Sequence, residues 1–303
     1  MRRNKLVFIL LFSTVCSLLY GHPTGSMIAL GDKVYWSYVS PMGDIDHHAC
    51  IMVWDQKGKP KELLVSEHPA SDFILSTAGN DFYALERRHN SSIDKSEARL
   101  LHINADGTSK EVWTWFVDEW NIGIGGFFML NENEMVFANH PGIYKMQKGG
   151  KPYPYFEFQS EVSRIKQVED GKLLLSNGEH CWLTDEKGNE LKSWKNLTEP
   201  HVESAPLGRN MVFDVDFKND ELLIAYWGGR KFGLIDKANQ KRVIKVMKSN
   251  YVPHWVAFLN NKKLLFSSYM DFDNPFNHDK SRTTIAPLLL LYSDFEFNTI
   301  WME

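Results

Sequence analysis

Six times along the chain a short group of turn-forming polar residues runs directly into an apolar segment. The segments are LGDKVYWS (30–37), AGNDFYAL (78–85), NENEMVFA (131–138), EDGKLLLS (169–176), KNDELLIA (218–225) and NNKKLLFS (260–267). Each is followed by two more apolar runs joined by a turn: IMVWDQKGKPKELLV, LLHINADGTSKEVW, IYKMQKGGKPYPYFEF, CWLTDEKGNELKSW, FGLIDKANQKRVIKV and LLLYSDFEFNTIWM. VYWSYV and RVIKVM alternate, the period of a half-buried strand. LLLS, LLIA and LLFS are continuous, as in strands packed on both faces. Gly31-Asp32, Gly79-Asn80, Asp170-Gly171, Asn219-Asp220 and Asn260-Asn261 supply turns from residues that tolerate positive φ. Each unit therefore predicts four antiparallel strands, an inner strand such as FILSTA first, and the chain is all-β.

A strand-rich unit of roughly 40 to 50 residues repeated along a chain predicts a ring of blades, a six-bladed β-propeller. Residues 1–21 open with Arg2, Arg3 and Lys5, continue through an apolar stretch to Leu19 and end at Tyr20-Gly21, the pattern of a secretory signal peptide. The remaining 282 residues divide into six units averaging 47, so residues 22–303 are expected to form a single propeller domain. Val15 before Cys16 is not the small residue that lipoprotein processing wants, so plain secretion to the periplasm or the exterior is expected rather than a lipid anchor. No later apolar run approaches the ~20 residues of a membrane span. The net charge of −4, with Lys and Arg spread evenly, leaves no basic stripe for nucleic acid. A soluble monomer is expected. Cys50 and Cys181 each open the third strand of their units, three blades apart, too far for a disulfide. Two free, buried thiols are expected.

Because each strand reverses direction, the turns between first and second strands share one face with those between third and fourth. The longer loops share the other face. Nine of the eleven histidines fall in or beside those longer loops: His47, His48, His68, His89, His140, His180, His201, His254 and His278. Loops on a rigid scaffold carry function, and the mouth of a ring is where they converge. Arg87, Arg88, Arg164, Arg230 and Arg282 lie on or beside the same face, suited to holding carboxylates, and Asp72, Glu119, Glu179 and Asp214 bring carboxylates of their own. Trp36, Tyr38, Trp120, Trp227, Tyr251, Trp255 and Tyr269 offer flat rings for stacking on sugars, or for packing between blades. Asp44, Asp46, His47 and His48 could supply a divalent metal. Asp271 and Asp273, with Asn274, Asn277, His278 and Asp279, form an oxygen-rich set suited to calcium, without the glycine and terminal Glu of an EF-hand.

The mature chain resembles the six-bladed propeller superfamily of NHL-repeat proteins and gluconolactonase-like calcium hydrolases. That resemblance rests on the generic repeats and implies the fold. The hydrolases hold their metal through Glu, Asn and Asp on inner strands, and no counterpart motif is present here. Val53-Trp54-Asp55 is similar to a WD40 repeat, but the Trp-Asp pair does not recur and the Gly-His dipeptide is missing. Sialidase Asp boxes are missing as well.

The expectation is a propeller that binds an extracellular glycan or small molecule, most simply a carbohydrate, at its loop-rich mouth. Asp46, His47, His48, Arg87, His140, Trp227, Arg230, His254, Trp255 and Asp271 are the candidate binding residues. Asp46, His48, Asp271 and Asp273 are the candidate ligands of a divalent metal such as calcium. An alternative is a polysaccharide lyase or glycosidase with a mouth His as base and an Arg facing a uronate, drawn from His140, His254, Arg230 and Glu179. A third reading is a protein-interaction scaffold.

Overall fold

The computed structural model describes residues 25–39, 48–68, 71–90, 92–116, 125–198, 210–248, 251–269 and 287–302. They form six four-stranded antiparallel sheets, each made of consecutive strands in sequence order, over 27–65, 72–116, 127–154, 164–194, 212–246 and 251–302. These are the six blades expected from the repeats. The one helical element among the described residues is a 3₁₀ turn at Glu169–Gly171. No helix among them is long and apolar enough to cross a membrane.

Six hydrophobic clusters hold the blades together, one in each gap between neighbours. This arrangement explains the two apolar patterns. Residues of one strand point alternately into the gaps on either side, so Leu222 and Ile224 join the gap between blades 4 and 5 while Leu223 and Ala225 join that between blades 5 and 6. A strand inside a blade thus needs apolar residues at every position, whereas an outermost strand such as Lys241–Val246 remains largely exposed.

The turns repeat a local chemistry. Asp55, Asp106, Asp185 and Asp236 each accept a hydrogen bond through Oδ1 from the backbone N–H two residues on, at 2.9–3.0 Å. These Asx turns reverse the chain between third and fourth strands in four blades. In the second of them Gly107 has φ +88°, and a Cβ there would stand 2.3 Å from the Leu63 carbonyl oxygen of the preceding blade. Five outermost strands then carry a bulge at the same place, opposite Ile51/Met52, Leu100/Leu101, Leu183/Thr184, Phe232/Gly233 and Leu289/Leu290. Blade 3 departs from the pattern: its outermost strand is cut to Tyr153–Pro154, because Pro152 and Pro154 cannot donate to a ladder.

Cys50 lies in the gap between blades 6 and 1 and Cys181 in that between blades 4 and 5, both fully buried and neither in a disulfide. Burial pushes the Cys181 thiol far up from its ordinary range. Both should resist a thiol reagent in the folded protein and react together on unfolding. Rapid labelling of either under native conditions would contradict this placement.

Candidate functional site

The innermost strands set the chemistry of the central channel. Polar side chains alternate along two of them: Arg164 and Lys166 in blade 4 (Arg164–Gln167), Asp214 and Asp216 in blade 5 (Val212–Lys218). Ile165 and Val215, between them, turn into the interblade cores. An innermost strand is the edge of its sheet, so its inward N–H and C=O groups have no ladder partner. Asp214 Oδ2 accepts a hydrogen bond from Val256 N–H at 3.0 Å, and Asp216 Oδ2 accepts one from Phe258 N–H at 2.7 Å, which satisfies the edge of blade 6. Lys166 Nζ donates to the carbonyls of Val215 at 3.4 Å and Val256 at 3.3 Å and stands 3.4 Å from Asp216 Oδ1. One lysine therefore ties blades 4, 5 and 6. Ser26 forms a similar tie from blade 1 to blade 2, its Oγ accepting from Leu75 N–H at 2.7 Å.

These groups line a cavity of about 480 Å³, bounded by residues of all six innermost strands. Arg164 differs from its neighbours. Its guanidinium lies over the Phe213 ring, 4.5 Å from the centroid, and makes no hydrogen bond or ion pair among the described residues. Burial pulls its pKa down, which Asp214 partly offsets. Burial likewise raises the Asp214 carboxyl, against the pull of Lys166 and Arg164. Phe213 sits at a bulge between Val212 and Asp214, and its ring meets the His254 ring edge-on at 5.3 Å. His254 sits at a second bulge, between Pro253 and Trp255. Bulges re-aim side chains, and this adjacent pair brings Arg164, Phe213 and His254 into one row.

His254 is 2% exposed, with Nε2 2.7 Å from Ser268 Oγ, so the row continues into the interior of blade 6. Trp255 is fully buried against Phe266, and Trp36 and Tyr38 are buried in the same core. These three aromatic residues therefore pack between blades. Trp227 and Arg230 occupy the half-buried second-to-third-strand turn of blade 5, Arg230 in a left-handed conformation with φ +48°. Beside them Lys231 is buried with its ammonium 5.0 Å over the Tyr226 ring, and burial lowers its pKa. His140 stands apart on blade 3, exposed, 3.9 Å from Glu161. The Glu179 side chain is exposed and His48 is half-buried beside the third strand of blade 1.

Arg87 is held by Asp72, its Nε donating to Oδ1 at 2.8 Å. Arg88 is held by Glu97 at 2.9 Å and by His68. Asp46, His47, Asp271 and Asp273 lie outside the described residues. Among the described residues no group of three or more His, Cys, Asp or Glu is arranged to hold a metal ion. Lys166, Asp216 and Ser176 are channel residues that the loop-centred reading passed over. The alternations Arg-x-Lys at 164–166 and Asp-x-Asp at 214–216, polar residues on strands otherwise built for burial, were the signal for the first two.

Comparison with solved structures bears on the fold alone. The β-propeller domain of the trilobed protease from Pyrococcus furiosus is 11% identical with a TM-score of 0.50, covering 91% of this chain and 97% of that one. The propeller domain of Cps50 from Myceliophteria thermophila is 8% identical with a TM-score of 0.50, covering 83% of this chain and 94% of that one. Virginiamycin B lyase from Staphylococcus aureus is 14% identical with a TM-score of 0.49, covering 92% of this chain and 94% of that one. No protein-family model and no curated protein matches the sequence.

Proposed function

We propose that this propeller is an extracytoplasmic binding protein that takes a carbohydrate into its central channel. The observation that carries the reading is the channel itself: a cavity of about 480 Å³, of ligand size, lined by strand edges and by Arg164, whose donors have no acceptor among the described residues. Strand-edge N–H and C=O groups suit the hydroxyls of a sugar, which both donate and accept. The secretory pattern of residues 1–21 is the support for an extracytoplasmic setting. Tying of the blades by Lys166, Asp214 and Asp216 favours binding to a pre-formed site, since the groups nearest the ligand are held before it arrives.

A glycan array probed with the protein lacking residues 1–21 tests the reading. The expected outcome is retention of a defined glycan set that is recovered chemically unchanged. Chemical conversion of a retained glycan would favour the lyase or glycosidase alternative. Failure to retain any glycan would overturn the carbohydrate reading.

A further inference from the structure

We propose that Arg164, with Ser176 beside it, is a carboxylate clamp, and that the sugar taken by the channel is an acidic one, a uronic acid unit. This rests on the carbohydrate reading above and adds its chemical class.

Three features converge on that assignment. The first is the way the channel charges are divided. Lys166 stands by Asp216, and both Asp214 and Asp216 accept backbone N–H groups of blade 6. Arg164 is left as a cation without a bonded acceptor among the described residues, while Arg87, Arg88 and Arg99 are each held by a carboxylate. Its flat face is already covered by Phe213 at 4.5 Å. What it can still offer is its edge, the N–H fork that matches the two oxygens of a carboxylate.

The second feature is Ser176. It is the direct cross-strand partner of Arg164, so the two side chains share one face of blade 4. The residue is fully buried and lines the cavity, yet its hydroxyl has no hydrogen-bond partner among the described residues. Buried hydroxyls are ordinarily bonded. A carboxylate held by Arg164 would provide the missing acceptor.

The third is the sign and size of the local charge. Asp214 is the anion that acts electrostatically on Arg164, and Asp216 lies further along the same strand. A singly charged group can be held against those carboxylates by one guanidinium and one hydroxyl. A phosphate dianion would meet both carboxylates with only one uncommitted cation to hold it.

Isothermal titration of the full protein with glucuronate, glucose and succinate, before and after Arg164→Gln and Ser176→Ala, tests the assignment. The expected result is that glucuronate binds at least about tenfold more tightly than glucose. Arg164→Gln should remove about 10- to 100-fold of glucuronate affinity and leave that for glucose unchanged, and Ser176→Ala should weaken glucuronate by a smaller factor. Thermal melts of each variant establish that it is folded. If Arg164→Gln is not, Arg164→Lys keeps the charge without the fork and should also weaken glucuronate.

Equal binding of glucuronate and glucose, or unchanged glucuronate binding in a folded Arg164 variant, would overturn the acidic-sugar assignment while the carbohydrate reading stands. Arg164-dependent binding of succinate with neither sugar bound would uphold the carboxylate clamp and overturn the carbohydrate reading. Binding of none of the three would overturn the clamp.

Discussion

Trp255→Ala should destabilise the protein by about 3–5 kcal/mol and loosen the ring at the gap where its two ends meet. Among the described residues every blade is built from consecutive strands, so no strand from one end of the chain completes the blade at the other. Closure between blades 6 and 1 therefore rests on side-chain packing rather than on a shared ladder. Trp255 stands 4.8 Å from Phe266, which lies 6.4 Å from Trp36. Trp36 meets Trp301 at 5.7 Å, and Tyr38 meets Trp301 edge-on at 5.4 Å. Both Trp36 and Trp255 are completely buried. Removing the indole of Trp255 deletes its apolar burial and leaves a cavity that neighbours on two blades cannot fill together. Urea unfolding would measure the loss, and small-angle scattering would report any opening of the ring. A change below about 1 kcal/mol would contradict this view of closure, because surface substitutions already fall within about half of that.

The next largest effect is expected at Lys166. Lys166→Met should cost about 3 kcal/mol, since breaking a buried pair by removing one partner leaves an uncompensated charge. Asp216 would lose its paired cation, and Asp214 one of the two cations that act on it, while both stay committed to the backbone of blade 6. The Lys166 and Asp216 side chains are 21% and 13% exposed, so solvent in the channel screens part of this cost and the lower end of the range for buried pairs applies. Lys166→Met combined with Asp216→Asn should recover part of the loss, because asparagine keeps an acceptor for Phe258 N–H without the charge.

A pH signature accompanies this. Burial alone would lower the Lys166 pKa, but Asp216 and Asp214 outweigh it and the net direction is upward. Stability from this group is fully present below the ordinary lysine range and is lost as pH rises through the raised value. The wild type should therefore lose stability on the alkaline side more steeply than Lys166→Met. Equal alkaline slopes would show that the ammonium does not tie the three blades.

The fold was legible because the repeat is enforced at every level. Asn219-Asp220 and its counterparts must take positive φ to turn the chain, and a strand such as Leu222–Ala225 must be apolar throughout to face two gaps at once. Those constraints leave a period that composition cannot hide. The three-blade spacing of Cys50 and Cys181 along the repeat likewise keeps them apart, and neither forms a disulfide.

The site was less legible. Loop histidines draw attention because they are chemically versatile, yet His140 stands in solvent and His254 is drawn inside against Ser268. The inward placement of His254 accompanies a bulge between Pro253 and Trp255, a one-residue irregularity with no reliable mark in a single sequence. Arg164 and Asp214 were noted only as members of a charged rim. Their place in the channel depends on which row of an inner strand faces the neighbouring edge, and that is set by packing of Ile165 and Val215. Asp-x-Asp at 214–216 was readable as alternation, but its task of bonding the backbone of the next blade follows only from the ring.

The most direct test of the central claim is a crystal structure of the protein grown with glucuronate. The channel site predicts the sugar on the ring axis, with its carboxylate about 3 Å from the Arg164 guanidinium and within reach of the Ser176 hydroxyl. A sugar seated on the long-loop rim or against an outer blade edge, with the channel around Arg164 filled only by water, would contradict it.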